Sequence, residues 1–253
     1  TPYSPHEGTS NNGAAKFHIE AWYATQGMTS IPIILAKDLD VRLSEEVEHI
    51  VGNSDGWKIR TKSDQVYKSD GLIMTPPVPQ SLALLEKAQG IQFDLLSRLR
   101  TIFYNPLISI MLKFQKDDGI VTNGGLNLAD GPISWISNVR MEKPDSPEKY
   151  VTMLASQRFS YRHMQDSHET IRDHVLKEAA SYLPSNPVDV VVHRWKHAWP
   201  AQPFDYPEIT ADPAPLAFAG DGFGGQYKLG YMIEAAGLSG ISAAASIFEL
   251  LSA

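Results

Sequence analysis

The chain has 253 residues, a formal net charge of −7, 43% hydrophobic and 20% charged residues, and no cysteine. This is the balance of a globular protein with material for a sizeable core. It excludes a disulfide scaffold, thiolate metal sites and a cysteine nucleophile, and it is compatible with a reducing, cytoplasmic setting. Lysines and arginines are interspersed with the acidic residues, so no basic footprint for a nucleic acid is present. No uninterrupted apolar run approaches about 18 residues, and no membrane span is therefore expected.

Residues 1–20 are rich in Ser, Asn, Gly and Pro and read as a flexible lead. Gly27-Met28-Thr29-Ser30 introduces a short helix over Ile31 to Lys37, with Ser30 or Thr29 as N-cap and Pro32 in the first turn. Strands are expected at Asp40–Leu43, Val47–Val51 and Trp57–Thr61, the last two joined by an Asn53-Ser54-Asp55-Gly56 turn. A further strand spans Tyr67 to Thr75, its Leu72-Ile73-Met74 run fit for burial, and ends at Pro76-Pro77-Val78-Pro79, where amide donors are missing.

Leu82, Leu84, Leu85 and Ala88, then Phe93, Leu96, Leu99 and Ile102 after Gly90, mark helical stretches. Strands return at Ile108–Phe114, Ile133–Asn138 and Tyr150–Ser156. Ile171, Val175, Leu176, Ala179 and Leu183 line one face of a helix over Ser167 to Tyr182. Val188–Val192 is a strand leading to Trp195, Leu216–Ala219 is another, and a helix from Met232 to Leu251 closes the chain.

Chemistry concentrates at Gly220-Asp221-Gly222-Phe223-Gly224-Gly225, between an apolar strand and a helix rich in small residues. Glycines let a backbone turn tightly and approach an anionic ligand, and a helix N-terminus favours negative charge. Gly220, Gly222 and Gly225 match G-x-G-x-x-G, but a dinucleotide-binding first turn needs further βαβ units after it. Only 28 residues follow Gly225 here.

Leu216-Ala217-Phe218-Ala219-Gly220-Asp221, followed by Ile233-Glu234-Ala235-Ala236-Gly237-Leu238-Ser239-Gly240, resembles the C-terminal motif of flavin-containing amine oxidases and renalase-like proteins. Gly27-Met28-Thr29-Ser30-Ile31-Pro32, Val47 in Val47-Glu48-His49-Ile50, Asp70–Pro77, and Val192-His193-Arg194-Trp195-Lys196-His197-Ala198 resemble further segments of that family in order. The resemblance covers roughly residues 20 to 253. It implies FAD as cofactor, with Val47 at the adenine, Thr75 near the cofactor, and Gly220, Asp221 and Gly222 against the phosphate and ribityl chain. Ile233, Glu234, Ala235 and Gly237 would lie at a helix start aimed at the flavin ring, where a positive helix end offsets charge on the reduced ring. Met28, Trp195 and Trp199 would line the substrate pocket. The family opens with a G-x-G-x-x-G unit that nothing before Gly27 matches. That unit is expected to lie outside this chain or to have been lost, and FAD to be held weakly or not at all in its absence.

Other readings stay beside this one. His193 and His197 have a metal spacing only on a helix, and the Val188–Val192 run argues for a strand, so no metal site is expected. His163, His168 and His174 read as solvated, as do Glu45, Glu46 and Glu48. Gly237-Leu238-Ser239-Gly240-Ile241 lacks the last glycine of a hydrolase elbow. Trp195 and Trp199 are equally readable as core.

The expected fold is mixed α/β: part of an FAD/NAD(P)-binding sheet (residues 21–75 and 210–253) and a substrate-binding domain (76–209) with a mainly antiparallel sheet and helices. The expected function is FAD-dependent oxidation of a small molecule, by hydride transfer to N5 of the flavin and reoxidation by oxygen. No catalytic residue is singled out. Expected partners are a small-molecule substrate, with neither nucleic acid nor membrane, and the oligomeric state is left open. The alternative is a flavin-free binding or scaffold protein that keeps the fold.

Overall fold

The computed structural model describes residues 24, 27–88, 91–115, 125–138, 149–183, 185–225 and 232–252. These divide into two compact units, one made of 1–41 and 106–196, the other of 42–105 and 197–253.

The first unit is built on a sheet of strand order β6-β7-β8-β5-β9, formed by β5 (Tyr104–Phe114), β6 (Gly125–Asn127), β7 (Ile133–Asn138), β8 (Lys149–Ala155) and β9 (Asp189–Pro200). The pairs β6–β7, β7–β8 and β5–β8 are antiparallel. Ile108, Ile110, Leu112 and Phe114 alternate along β5, so the strand period of two places all four in the core. Helix α5 (His168–Ala179) packs there through Ile171, Val175 and Ala179, a spacing of four that keeps them on one face. Burying each large side chain in this way contributes about 1.5–3 kcal/mol.

The first turn of α5 is capped by Ser167, whose hydroxyl accepts from the Thr170 N–H at 3.1 Å. A helix not expected from the sequence, α4 (Gln157–His163), starts where β8 stops, because Ser156 caps it by accepting from the Phe159 N–H. The buried Ser160 hydroxyl accepts from the Ile108 backbone N–H at 3.1 Å, tying α4 to β5. Helix α1 (Ser30–Leu35) belongs to this unit and buries none of its residues. Thr29 holds its N-cap position without a side-chain cap bond, and the Ser30 hydroxyl donates to the Gly27 carbonyl instead.

In the second unit β1 (Val47–Asn53), β2 (Gly56–Thr61) and β3 (Val66–Ser69) form an antiparallel meander. The expected Asn53–Gly56 turn is present. The Asp55 N–H donates to Asn53 Oδ1 at 2.9 Å, and Gly56 takes φ 109°, which a side chain would strain. The strand expected at Asp40–Leu43 is not formed, since no partner strand pairs with those residues.

The strand expected from Tyr67 to Thr75 is also corrected. It is two strands in two sheets, β3 and β4 (Leu72–Met74), separated at Asp70-Gly71. Gly71 passes so close to α6 (Met232–Ser252) that an added Cβ would stand 2.8 Å from Ile247 Cγ2. The chain changes sheets where only glycine fits.

Strand β4 pairs in parallel with β11 (Leu216–Phe218), and β11 pairs antiparallel with β10 (Ile209–Thr210). The two apolar strands of the expected dinucleotide-type sheet therefore share one sheet. Its order is β10-β11-β4, with one neighbour from this chain and no strand beyond β4 among the described residues. Helices α2 (Val78–Leu85) and α3 (Phe93–Leu99) bury Val78, Leu85, Leu95 and Leu99 in one core with Met74, Leu216 and Phe218. That packing joins residues up to 105 to the same unit as β4, whereas the sequence-based division fell after residue 75.

Helix α6 lies against β11 and the turn that follows it. Ala235, Ser239, Ala243 and Ile247, four residues apart, are its buried positions. Residues 233–252 of α6 are nonetheless long and apolar enough to cross a membrane by length and composition. Polar residues interrupt its apolar run, so no uninterrupted stretch of that length occurs, without making the helix polar on average.

Candidate cofactor site

The carboxyl ends of β4 and β11 lie side by side, with Thr75 following one and Gly220-Asp221 the other. In open sheets with parallel strands this is where ligands bind, because the chains leave the sheet there and backbone groups are free to face a guest. Gly220 has φ 125°, and among the described residues an added Cβ would meet only the Thr75 carbonyl, at 3.6 Å. The glycine is thus required by backbone conformation, and the space beside it is open. The Ser239 hydroxyl engages both backbone groups of Gly220. It accepts from the Gly220 N–H at 2.9 Å and shares its single proton between the carbonyls of Gly220 and Ala236, each 2.9 Å away. One buried serine thereby fastens the second turn of α6 to the glycine turn.

Residues Asp221–Phe223 form a short 3-10 turn. The Asp221 carboxylate is half-buried, and burial raises its pKa above the ordinary aspartate value. Hydrogen bonds from the Tyr104 hydroxyl and the Gly222 backbone N–H act in the opposite direction. Tyr104 Oη donates to Asp221 Oδ1 at 3.3 Å, and the Tyr104 ring stands edge-on to His197, centroids 5.7 Å apart. Burial, and then the Asp221 charge, push the Tyr104 phenol far above its usual range, so it is a hydrogen-bond donor at any physiological pH.

The other expected site residues are distributed as follows. A Cβ at Gly222 would lie 2.7 Å from Tyr104 Oη, and one at Gly224 would lie 2.6 Å from the Ala235 Cβ. Both glycines are small because protein atoms occupy the space. Ala235 is buried against Gly224, which accounts for its own size. Ile233 and Glu234 are exposed at the start of α6, and around Gly237 there is open space. Val47 opens β1, opposite Thr61, in a different sheet from β4 and β11.

Met28 is exposed in the turn before α1. Trp195 lies on β9 in the first unit, half exposed, its ring 4.2 Å from that of His193 and its Nε1 donating to Ser109 Oγ at 3.0 Å. Trp199, on the same strand, falls in the second unit and is partly buried. His193 and His197 sit on β9, a strand as expected. Among the described residues no group of three His, Asp or Glu side chains is placed to hold a metal ion.

Sequence reasoning missed Tyr104 and the role of Ser239. Ser239 was legible in principle from its place in the Ala235, Ser239, Ala243, Ile247 stripe. Tyr104 carried no local signal, since its partner lies 117 residues away.

The model of the family described as flavin containing amine oxidoreductase matches residues 8–248. The chain belongs to this family. Its fold is similar to that of putrescine oxidase bound to putrescine, at 15% identity and TM-score 0.66, covering 87% of this chain and 53% of that one. It is also similar to cyclohexylamine oxidase from Brevibacterium oxydans IH-35A, at 11% identity and TM-score 0.68, covering 88% of this chain and 53% of that one. The chain thus spans about half the length of these two structures. At such identities the likeness is one of fold, and it agrees with the mixed α/β expectation. No curated protein matches the chain in sequence.

Membership of the flavin-containing family implies a flavin, and the residues at the strand ends fit one. The open space at Gly220 lies beside the Thr75 carbonyl, and a carboxylate follows at the next position. An acceptor-only carboxylate beside a backbone carbonyl suits the hydroxyls of a polyol chain.

Proposed function

We propose that this chain is the substrate-facing and C-terminal flavin-contacting portion of an FAD-dependent amine oxidoreductase of the renalase-like type, acting on a small amine. The observation that carries this reading is Asp221, a half-buried carboxylate at the carboxyl ends of two parallel strands, next to a glycine whose open side faces no side chain of the described residues. FAD supplies the redox chemistry when bound, taking hydride from substrate at N5 and returning the electrons to oxygen. The residues of this chain hold and orient. Asp221 accepts hydrogen bonds from ribityl hydroxyls, and Gly220 lets the chain turn beside them. Ser239 fixes the turn to α6, and the open face of α6 at Gly237 leaves room for flat aromatic surface. Thr75 lies beside the same crevice. Trp199 is a proposed apolar contact for substrate, and Val47 the proposed adenine contact.

Asp221→Ala should reduce FAD retention about ten- to a hundredfold, the equivalent of a hydrogen bond to a charged group. Thermal stability without cofactor should be nearly unchanged. Absorbance of the flavin bands after gel filtration with FAD measures retention, and equal flavin content in variant and wild type would remove Asp221 from the site.

A flavin-free binding protein is the second reading. It is favoured by the protein atoms that fill the spaces at Gly222 and Gly224, and by the Gly220 backbone groups already engaged by Ser239. A visible spectrum separates the two: a colourless protein that added FAD does not turn yellow supports the second.

A further inference from the structure

Three segments meet around one phenolic oxygen. Tyr104 begins β5, and the backbone N–H of Val78, the first residue of α2, opposes the rise of the phenol's pKa. Its proton goes to Asp221 Oδ1 at 3.3 Å. Gly222 makes room for it, since a Cβ there would stand 2.7 Å from the oxygen and 3.6 Å from Val78 Cγ2. The segment that leaves β4, the start of β5 and the turn that leaves β11 thereby meet around the Tyr104 hydroxyl, whose proton goes to Asp221.

The Asp221 carboxylate is the acceptor that the Tyr104 hydroxyl proton meets. The ring is held edge-on by His197, so rotation of the phenol is restrained as well.

We propose that Tyr104 is the positioning residue for Asp221. Its hydroxyl, bonded to Asp221 Oδ1, aims the carboxylate toward the hydroxyls of a bound flavin. This rests on Asp221 belonging to the flavin site. Burial raises the carboxyl, and the Tyr104 bond is the largest influence opposing that rise. Removing the hydroxyl therefore lets Asp221 protonate at higher pH and become a donor where an acceptor is needed. The other titratable group shown against the pair is His197, edge-on to the Tyr104 ring; on the adjoining elements are Asp205, beside Gly225, and Glu234, exposed in the first turn of α6. None of these is altered by the substitution.

The test compares wild type, Tyr104→Phe and Asp221→Ala in the full chain. Carbon-13 spectra follow the titration of the Asp221 side-chain carboxyl without cofactor. FAD retention is measured in parallel across the acid range. In Tyr104→Phe the Asp221 carboxyl is expected to titrate at higher pH than in wild type. FAD retention should fall about three- to tenfold in mildly acid buffer, the size of one ordinary hydrogen bond and less than the loss of the carboxylate itself, and recover toward wild type in alkaline buffer. A merely structural phenylalanine effect would lower retention equally at every pH. Gly222→Ala supplies a second variant if Tyr104→Phe does not fold. Its methyl pushes the phenol oxygen away and should move the Asp221 titration in the same direction. An Asp221 carboxyl that titrates as in wild type in either folded variant overturns the proposal. If instead Asp221→Ala keeps its flavin, the site assignment fails, and that result is separate because it does not depend on the titration.

Discussion

In the first unit the sheet is made of long strands, eleven residues in β5 and twelve in β9, whose alternating side chains bury one face under α5. In the second, β4 and β11 have three residues each and β10 has two, and every residue of β11 is buried. The long sheet draws its core from its own alternation. The short one depends on covering helices, because a strand buried on both faces cannot be stable by itself. Helices α2 and α3 supply that cover through Val78, Leu85, Leu95 and Leu99, and α6 through Ala243 and Ile247. The candidate site belongs to the second kind of sheet, where the strands stop early and leave backbone, a carboxylate and open space at their ends. A region short of strand is where a ligand can be accommodated.

The comparison is broken most directly by removing one large side chain from each core. Ile136→Ala should destabilise the first unit by about 2–5 kcal/mol and Phe218→Ala the second by about 3–5 kcal/mol. In urea melts followed by hydrogen exchange, each substitution should lower protection in its own unit only. Equal loss of protection in both units after either change would show that the two cores unfold as one. Next in size, Ala235→Leu forces a side chain onto Gly224 and should cost about 1–3 kcal/mol of thermal stability even without cofactor. An unchanged melting temperature would mean that α6 is not seated against the turn.

Ser167→Ala removes the cap of α5 and should cost about 1 kcal/mol, read as faster amide exchange in the first turn of that helix. Gly237→Ala should gain about 0.5–1 kcal/mol in the absence of flavin, since a methyl meets open space in a helix. The same variant should retain less FAD if the ring lies there. The smallest effect concerns pH. Because burial raises the Asp221 carboxyl in the folded state, folding takes up a proton in the range between its ordinary and its raised value. Stability should therefore increase as pH falls through that range and be lost as pH rises through it. Asp221→Asn should flatten the dependence in thermal melts, and an identical profile in the variant would remove Asp221 as its source.

Much of this was legible beforehand where the signal is local. The Asn53–Gly56 turn, the Ser167 cap, the helix face of Ile171, Val175 and Ala179, and the apolar strands before Thr75 and Gly220 all follow from turn chemistry and period. The break at Asp70-Gly71 was not legible, because the run from Tyr67 to Thr75 reads as one strand until Gly71 is seen against Ile247. Helix α4 was hidden for a similar reason: Ser156 reads as the end of a strand, and only its bond to the Phe159 N–H makes it a cap.

The sequence by itself determined which segments are strands and helices over most of the chain, and it placed Gly220 and Asp221 between a buried strand and a small-residue helix. These are properties of neighbours, fixed by backbone geometry over a few residues. Tertiary structure alone decided which strands share a sheet, that Gly222 and Gly224 make room for Tyr104 and Ala235, and that Asp221 has a phenol for a partner. The physical reason is that a hydrogen bond or a close contact depends on distance in space. The Tyr104 and Asp221 oxygens come within 3.3 Å because the start of β5 is folded against the turn that follows β11, a meeting of segments more than a hundred residues apart in sequence.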